Sequence, residues 1–245
     1  VFWPTCVIQY WQKHGSYLVP FMQILLAFDH LKIKESQTMS VITASILRPF
    51  DGKRSAAEER LKKMGSVLER HGANVKTTNF VAGQYTGCIG FIRSYPDFKT
   101  GMAIMQASAK DPDGQEVMKQ RQTDPAGEMI VMREVHRTIF GEGKWASNPV
   151  SMIRKYALSR ADVSKAMPIL EGAQKIMDKE KVNVRALMPV LSSEMSRIGV
   201  SYQFKSLDHL GEVLDATSAS SEMQSLIEKA NSFSSLETAS VMVAF

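Results

Sequence analysis

The chain has 245 residues, 44% hydrophobic and 22% charged, enough to bury the core of one large domain or two smaller ones and unlike the composition of a disordered chain. Its formal net charge is +5, but the 30 basic and 25 acidic residues are mixed throughout. Runs such as EERLKK (58–63) and MDKEK (177–181) therefore read as solvated helix faces and not as a nucleic-acid stripe. The two cysteines, Cys6 and Cys88, make neither a disulfide framework nor a metal site, and point to a reducing compartment, the cytoplasm.

Residues 1–38 differ in kind from the rest, with two of the three tryptophans and no clean periodicity. Their apolar run YLVPFMQILLAF (17–28) is interrupted by Pro20 and Gln23 and falls short of the roughly 18 residues that cross a bilayer, so no membrane span is expected. A basic start and a small-x-small cleavage site, the marks of a secretory signal, are also missing. Met39 stands directly before the first strand pattern; the expectation is that the natural chain begins there and that 1–38 lie outside the fold.

From that point the elements follow in order. VITASIL (41–47) alternates as a strand. A helix follows with apolar residues at Ala57, Leu61, Met64, Val67 and Leu68, with Asp51 or Ser55 as its expected N-cap and Gly72 as its left-handed stop. NVKTTNFVA (74–82) and GCIGFIRSY (87–95) form a hairpin, a second helix runs through PDFKTGMAIMQASA (96–109) and breaks at DPDG (111–114), and a shorter helical piece leads to the strand EMIVMREVHRTIF (128–140). The same order then recurs 109 positions on: Val41 meets Val150, Leu61 meets Leu170, Asn74-Val75 meets Asn183-Val184, and Ile89-Gly90 meets Ile198-Gly199. Ser159 or Asp162 is the expected cap of the second copy's first helix. Two units are expected, 39–141 and 150–245, joined by a linker over 142–149.

Strand, helix, strand, strand, helix, strand, twice, is the split-βαβ or ferredoxin-like plan, an α+β architecture with helices on one face of an antiparallel sheet. The other face, with Ile89, Phe91, Ile130 and Met132 on its strands, must be buried, most simply by packing the two sheets against each other. The RNA-recognition motif shares this strand order, but GCIGFIRS (87–94) fills only about half of its basic-Gly-aromatic pattern, so no nucleic-acid partner is expected. Over residues 40–245 the element order, the long last strand and the doubled unit resemble the dimeric α/β-barrel superfamily, here as a tandem two-unit fusion. That resemblance implies small-molecule pockets in the barrel or between sheet and helices. It also implies an apolar or aromatic ligand and a cofactor-free monooxygenase, cyclase or isomerase; a non-catalytic interaction protein is the alternative, and fold alone does not choose.

The last strand of the first unit carries the candidate chemistry. Alternation puts Met132, Glu134, His136 and Thr138 on one side and Val131, Arg133, Val135 and Arg137 on the other. His136 is the expected proton shuttle, with Glu134 raising its pKa; the plainer alternative is an exposed edge strand of mixed charge. Arg93, Asn79, Tyr85 and Arg133 are the expected substrate-orienting groups. Aligning Phe245 with Phe140 sets Glu134, His136 and Arg133 against Ala239, Val241 and Thr238, which places any site in the first half. No cofactor or metal is expected: the histidines lack metal-ligand spacing, and His136 and His209 are only conceivable haem ligands. Exposed strand edges leave room for a higher homo-oligomer.

Overall fold

Strands that carry apolar side chains on both faces need cover on both, and here helices cover one face while sheet closure covers the other. The computed structural model describes residues 40–141 and 148–245. The segment 1–38 and most of the expected linker, 142–147, lie outside the described residues. The first unit comprises β1 (Val41–Pro49), α1 (Arg54–Arg70), β2 (Asn74–Gly83), β3 (Ile89–Tyr95), α2 (Phe98–Lys110), α3 (Pro112–Thr123) and β4 (Gly127–Phe140). The second comprises β5 (Val150–Leu158), a 3₁₀ turn (Arg160–Asp162), α4 (Val163–Lys179), β6 (Asn183–Leu191), β7 (Arg197–Phe204), α5 (Leu207–Ser218), α6 (Ser221–Asn231) and β8 (Ser234–Ala244).

The eight strands form a closed antiparallel barrel in the ring order β1-β3-β2-β8-β5-β7-β6-β4. Each unit keeps the ferredoxin-like order, and two seams join the units, β2 to β8 and β4 to β6. The sheets thus face each other as expected and also hydrogen-bond at both edges. β4 is no edge strand: it pairs with β1 and β6, which removes the strand edges expected to serve higher assembly.

Local sequence explains the helix ends in part. Gly72 takes φ +98° and its N–H closes α1 on the Glu69 carbonyl at 2.9 Å. Neither Asp51 nor Ser55 caps that helix; Lys53 holds the N-cap position without a side-chain bond. Ser159 caps the 3₁₀ turn, and Asp162 precedes α4 with no capping bond of its own. Asp111 ends α2 and caps α3, accepting from the Asp113 N–H at 3.0 Å and from Arg70 and His71. The Arg70 guanidinium, foremost, holds its carboxyl down to about 2.

Two apolar layers result. Val41, Leu68, Phe91, Tyr95 and Ile104 pack between sheet and helices, while Ile42, Ile46, Phe80, Cys88, Ile92, Leu187 and Met242 fill the barrel. The inner layer draws on both units. The expectation for the inner face needs correction: Phe91 and Ile89 turn toward the helices, Met132 is exposed, and only Ile130 packs on the inner cluster. With Phe91 buried, the third strand offers no stacking platform for RNA bases. Among the described residues, no helix is long and apolar enough to cross a membrane.

Candidate functional site

A β-bulge decides which β4 side chains look into the barrel. On β1, Ala44 and Ile46 are two residues apart, whereas their partners Glu134 and Val131 are three apart. The extra residue is accommodated by Arg133 at φ 54°, a left-handed conformation costly for a side chain with a Cβ. Simple alternation is therefore broken: Val131, Glu134 and His136 share the inner face with Ile46, Ala44 and Ile42. Met132 is left exposed.

Glu134 and His136 line a small cleft at one end of the barrel together with Lys155, Pro189, Ser192, Glu194, Arg197, Ile198 and Gly199. Its volume is about 30 Å³, room for a few water molecules. The Ser192 hydroxyl donates to Glu134 Oε1 at 3.0 Å. Arg197 is held by Glu194 at 3.2 Å and by Glu237, whose hydrogen bond keeps the guanidinium firmly charged. Tyr85 leans over this end: its ring packs edge-on against Phe80 at 5.5 Å and lies 5.8 Å from the Lys155 ammonium. Burial raises its phenol pKa, assisted by the Glu134 charge.

Burial pushes His136 below its ordinary value; Glu134 opposes the shift and Lys155 adds to it. The expected rise is thus reversed, because desolvation outweighs the neighbouring carboxylate. At neutral pH the imidazole is a neutral acceptor. The sign of the pH dependence follows. The unfolded side chain binds a proton near pH 6.5 and the folded one only lower, so this contribution to stability is intact above about 6.5 and lost as pH falls through the folded value. Urea midpoints measured from pH 7.5 to 5 should therefore fall more steeply for the wild type than for His136→Leu; equal slopes would contradict the assignment.

The structure brings Glu134, His136 and Tyr85 together and separates the other expected residues. Arg93 lies on the helix-covered face, where its Nη2 donates to Ser45 Oγ at 2.7 Å and its guanidinium stacks on Phe91 at 5.1 Å. Burial lowers its pKa to about 10, so it stays charged. The backbone N–H of Arg133 donates to the same Ser45 Oγ at 3.3 Å. Asn79 is on the outer face too, accepting from Arg54 Nη2 at 2.7 Å. On this face Arg93 Nε and the Tyr95 hydroxyl are buried without a hydrogen-bond partner.

The cleft is not built from the first half alone. Lys155, Ser192, Glu194 and Arg197 come from β5, β7 and the loop between β6 and β7. Arg197 opens β7. Nothing local marks Lys155, which reaches the cleft only because the barrel closes. The register shows the true mates of the β4 pair: His136 lies beside Ile42 as Met242 lies beside Ser151, and Glu134 beside Ala44 as Ser240 beside Ile153. The end-to-end alignment of the last strands was one residue out.

Neither conceivable haem ligand fits that role. His209 accepts from the Lys205 N–H through Nδ1 at 3.3 Å and meets the Glu180 carbonyl through Nε2 at 3.0 Å, and the cleft at His136 is far smaller than a macrocycle. Among the described residues, no group of three His, Cys, Asp or Glu side chains is placed to hold a metal ion.

Closed barrel, paired ferredoxin-like units and external helices define the dimeric α/β-barrel fold, with both units in one chain. Solved structures share it. A candidate monooxygenase from Lactobacillus acidophilus superposes with a TM-score of 0.57 at 10% identity, covering 84% of this chain and 93% of that one. An anthrone oxidase-like protein gives 0.56 at 7% identity over 86% and 92%. A heme-binding protein from Thermus thermophilus gives 0.53 at 9% identity over 84% and 91%. No known family profile and no curated protein sequence matches the chain.

Proposed function

We propose that this barrel binds a small apolar or aromatic molecule over the cleft at its mouth and that His136 accepts a proton from it. The carrying observation is that a half-buried imidazole, held neutral, shares a cleft with the Glu134 carboxylate and the Lys155 ammonium, the latter 5.8 Å from the Tyr85 ring. A neutral imidazole takes a proton best near its own pKa. Glu134 would stabilise the imidazolium, and Lys155 the anion left on the substrate. Such a deprotonation opens cofactor-free oxygenation, cyclisation and isomerisation alike, of which the neighbours named as monooxygenase and anthrone oxidase-like suggest the first. Neither the reaction nor the substrate is chosen by that likeness. The buried free thiol of Cys88 fits a reducing compartment such as the cytoplasm.

The small size of the cleft favours a second reading, a barrel that assembles without catalysis. A thermal-shift screen of aromatic and polyketide-like compounds separates the two. At least one compound should stabilise the wild type and lose most of that effect in His136→Ala. Stabilisation by none would remove the small-molecule reading.

A further inference from the structure

The other end of the barrel interior is polar in a way the apolar cluster does not require. Lys76 on β2 lies beside Ile92, and Arg185 on β6 lies beside Ser201. Ile92 belongs to the inner cluster, and Ser201 pairs with Ile153, which packs on it. Both cations therefore point into the barrel. β2 and β6 stand four strands apart in a ring of eight, and Lys76 and Arg185 hold the same position in the two units. They face each other across the interior at one level. Arg185 is wholly buried, and its charge depresses the Lys76 pKa further after burial has lowered it.

Three more groups surround them. Gln203 and Ser151 are register partners, and Ser201 is the partner of Arg185. All three are at most 1% exposed. Both polar atoms of the Gln203 side chain and the hydroxyls of Ser151 and Ser201 have no hydrogen-bond partner. Buried polar groups are nearly always satisfied, and unsatisfied ones mark a bound water, ion or ligand. Two cations with a buried amide and two hydroxyls form a donor set suited to oxygen anions.

We propose that the barrel interior binds a small oxyanion, a carboxylate or phosphate group, between Lys76 and Arg185, with Gln203, Ser151 and Ser201 completing its shell. Its oxygens would accept from the Gln203 amide and the two serine hydroxyls, which otherwise lack partners, with the two cations beside them. Lys76 is half-buried, with its ammonium donating to the Asn148 carbonyl at 2.6 Å, whereas Arg185 is wholly buried. The site is distinct from the cleft. Pro189, which lines the cleft, is four residues along β6 from Arg185, about 13 Å at the rise of an extended strand.

The test uses the full chain and inorganic phosphate, with chloride at equal ionic strength as reference. Calorimetric titration should show one phosphate per chain, and phosphate should raise the melting temperature where chloride does not. Lys76→Met, at a half-exposed position and so compatible with folding, should weaken phosphate binding at least tenfold while keeping the wild-type circular dichroism; Gln203→Leu should weaken it as well. Acetate in place of phosphate separates a carboxylate preference from a phosphate one, and binding of either supports the site. Equal shifts with phosphate and chloride, unchanged affinity in Lys76→Met, or a crystal grown in phosphate with only water between the two cations would each overturn the proposal.

Discussion

Phe80→Ala is expected to cost about 3–5 kcal/mol, the range for removing a buried aromatic ring, and to do so for the whole barrel. Phe80 is 7% exposed in the inner cluster, beside Leu187 and Met242 of the second unit, and it supports the Tyr85 ring over the cleft. Because that cluster draws on both units, the loss should lower one cooperative urea transition instead of splitting it. The measurement is the urea midpoint, followed by far-ultraviolet circular dichroism and by tyrosine absorbance. Two separated transitions would show that each unit keeps its own stability and that the inner layer does not join them.

Gly83→Ala should be nearly as damaging for a different reason. Gly83 sits on the β2–β8 seam at φ +95°, where a Cβ would lie 2.2 Å from the Ala239 carbonyl oxygen and 2.8 Å from the Ser240 Cα. Backbone, not a mobile side chain, blocks it, so the seam itself must shift. A non-glycine residue held in an unfavourable region costs about 1–3 kcal/mol, and the clash adds to that. Gly87, at φ +84° with nothing within 4 Å of its Cβ position, supplies the control. Gly87→Ala carries the conformational cost alone, and the stability difference between the two variants isolates the clash. If they lose the same amount, the seam is more compliant than the geometry implies.

Much of this architecture was legible in the chain because it is written locally. Alternation marks the strands, three-and-four spacing marks α1 and α4, Gly72 marks the end of α1, and Val41 to Val150 sets the offset at which the elements recur. Glu134 and His136 were legible as a pair for the same reason. What could not be read depends on partners distant in sequence. One inserted residue at Arg133 reverses the face of Met132, and alternation carries no sign of it. Lys155 and Ser192 meet Glu134 only through closure at the β4–β6 and β2–β8 seams. Asn79 has the right strand and the wrong face: the pleat that turns Phe80 inward turns Asn79 out to Arg54. His136 could be named as titratable, but whether burial or Glu134 wins is set by packing.

Closure within one chain changes what the barrel depends on. A ring made of two separate copies assembles at a rate and to an extent set by how many copies are present, and it puts the same side chain on both sides of its symmetry axis. Here the seams are intramolecular, so the folded fraction is set by effective concentration and should not change on dilution. The two sides are also released from identity: His136 can stand where its mate is Met242, and Lys76 can look across at an arginine.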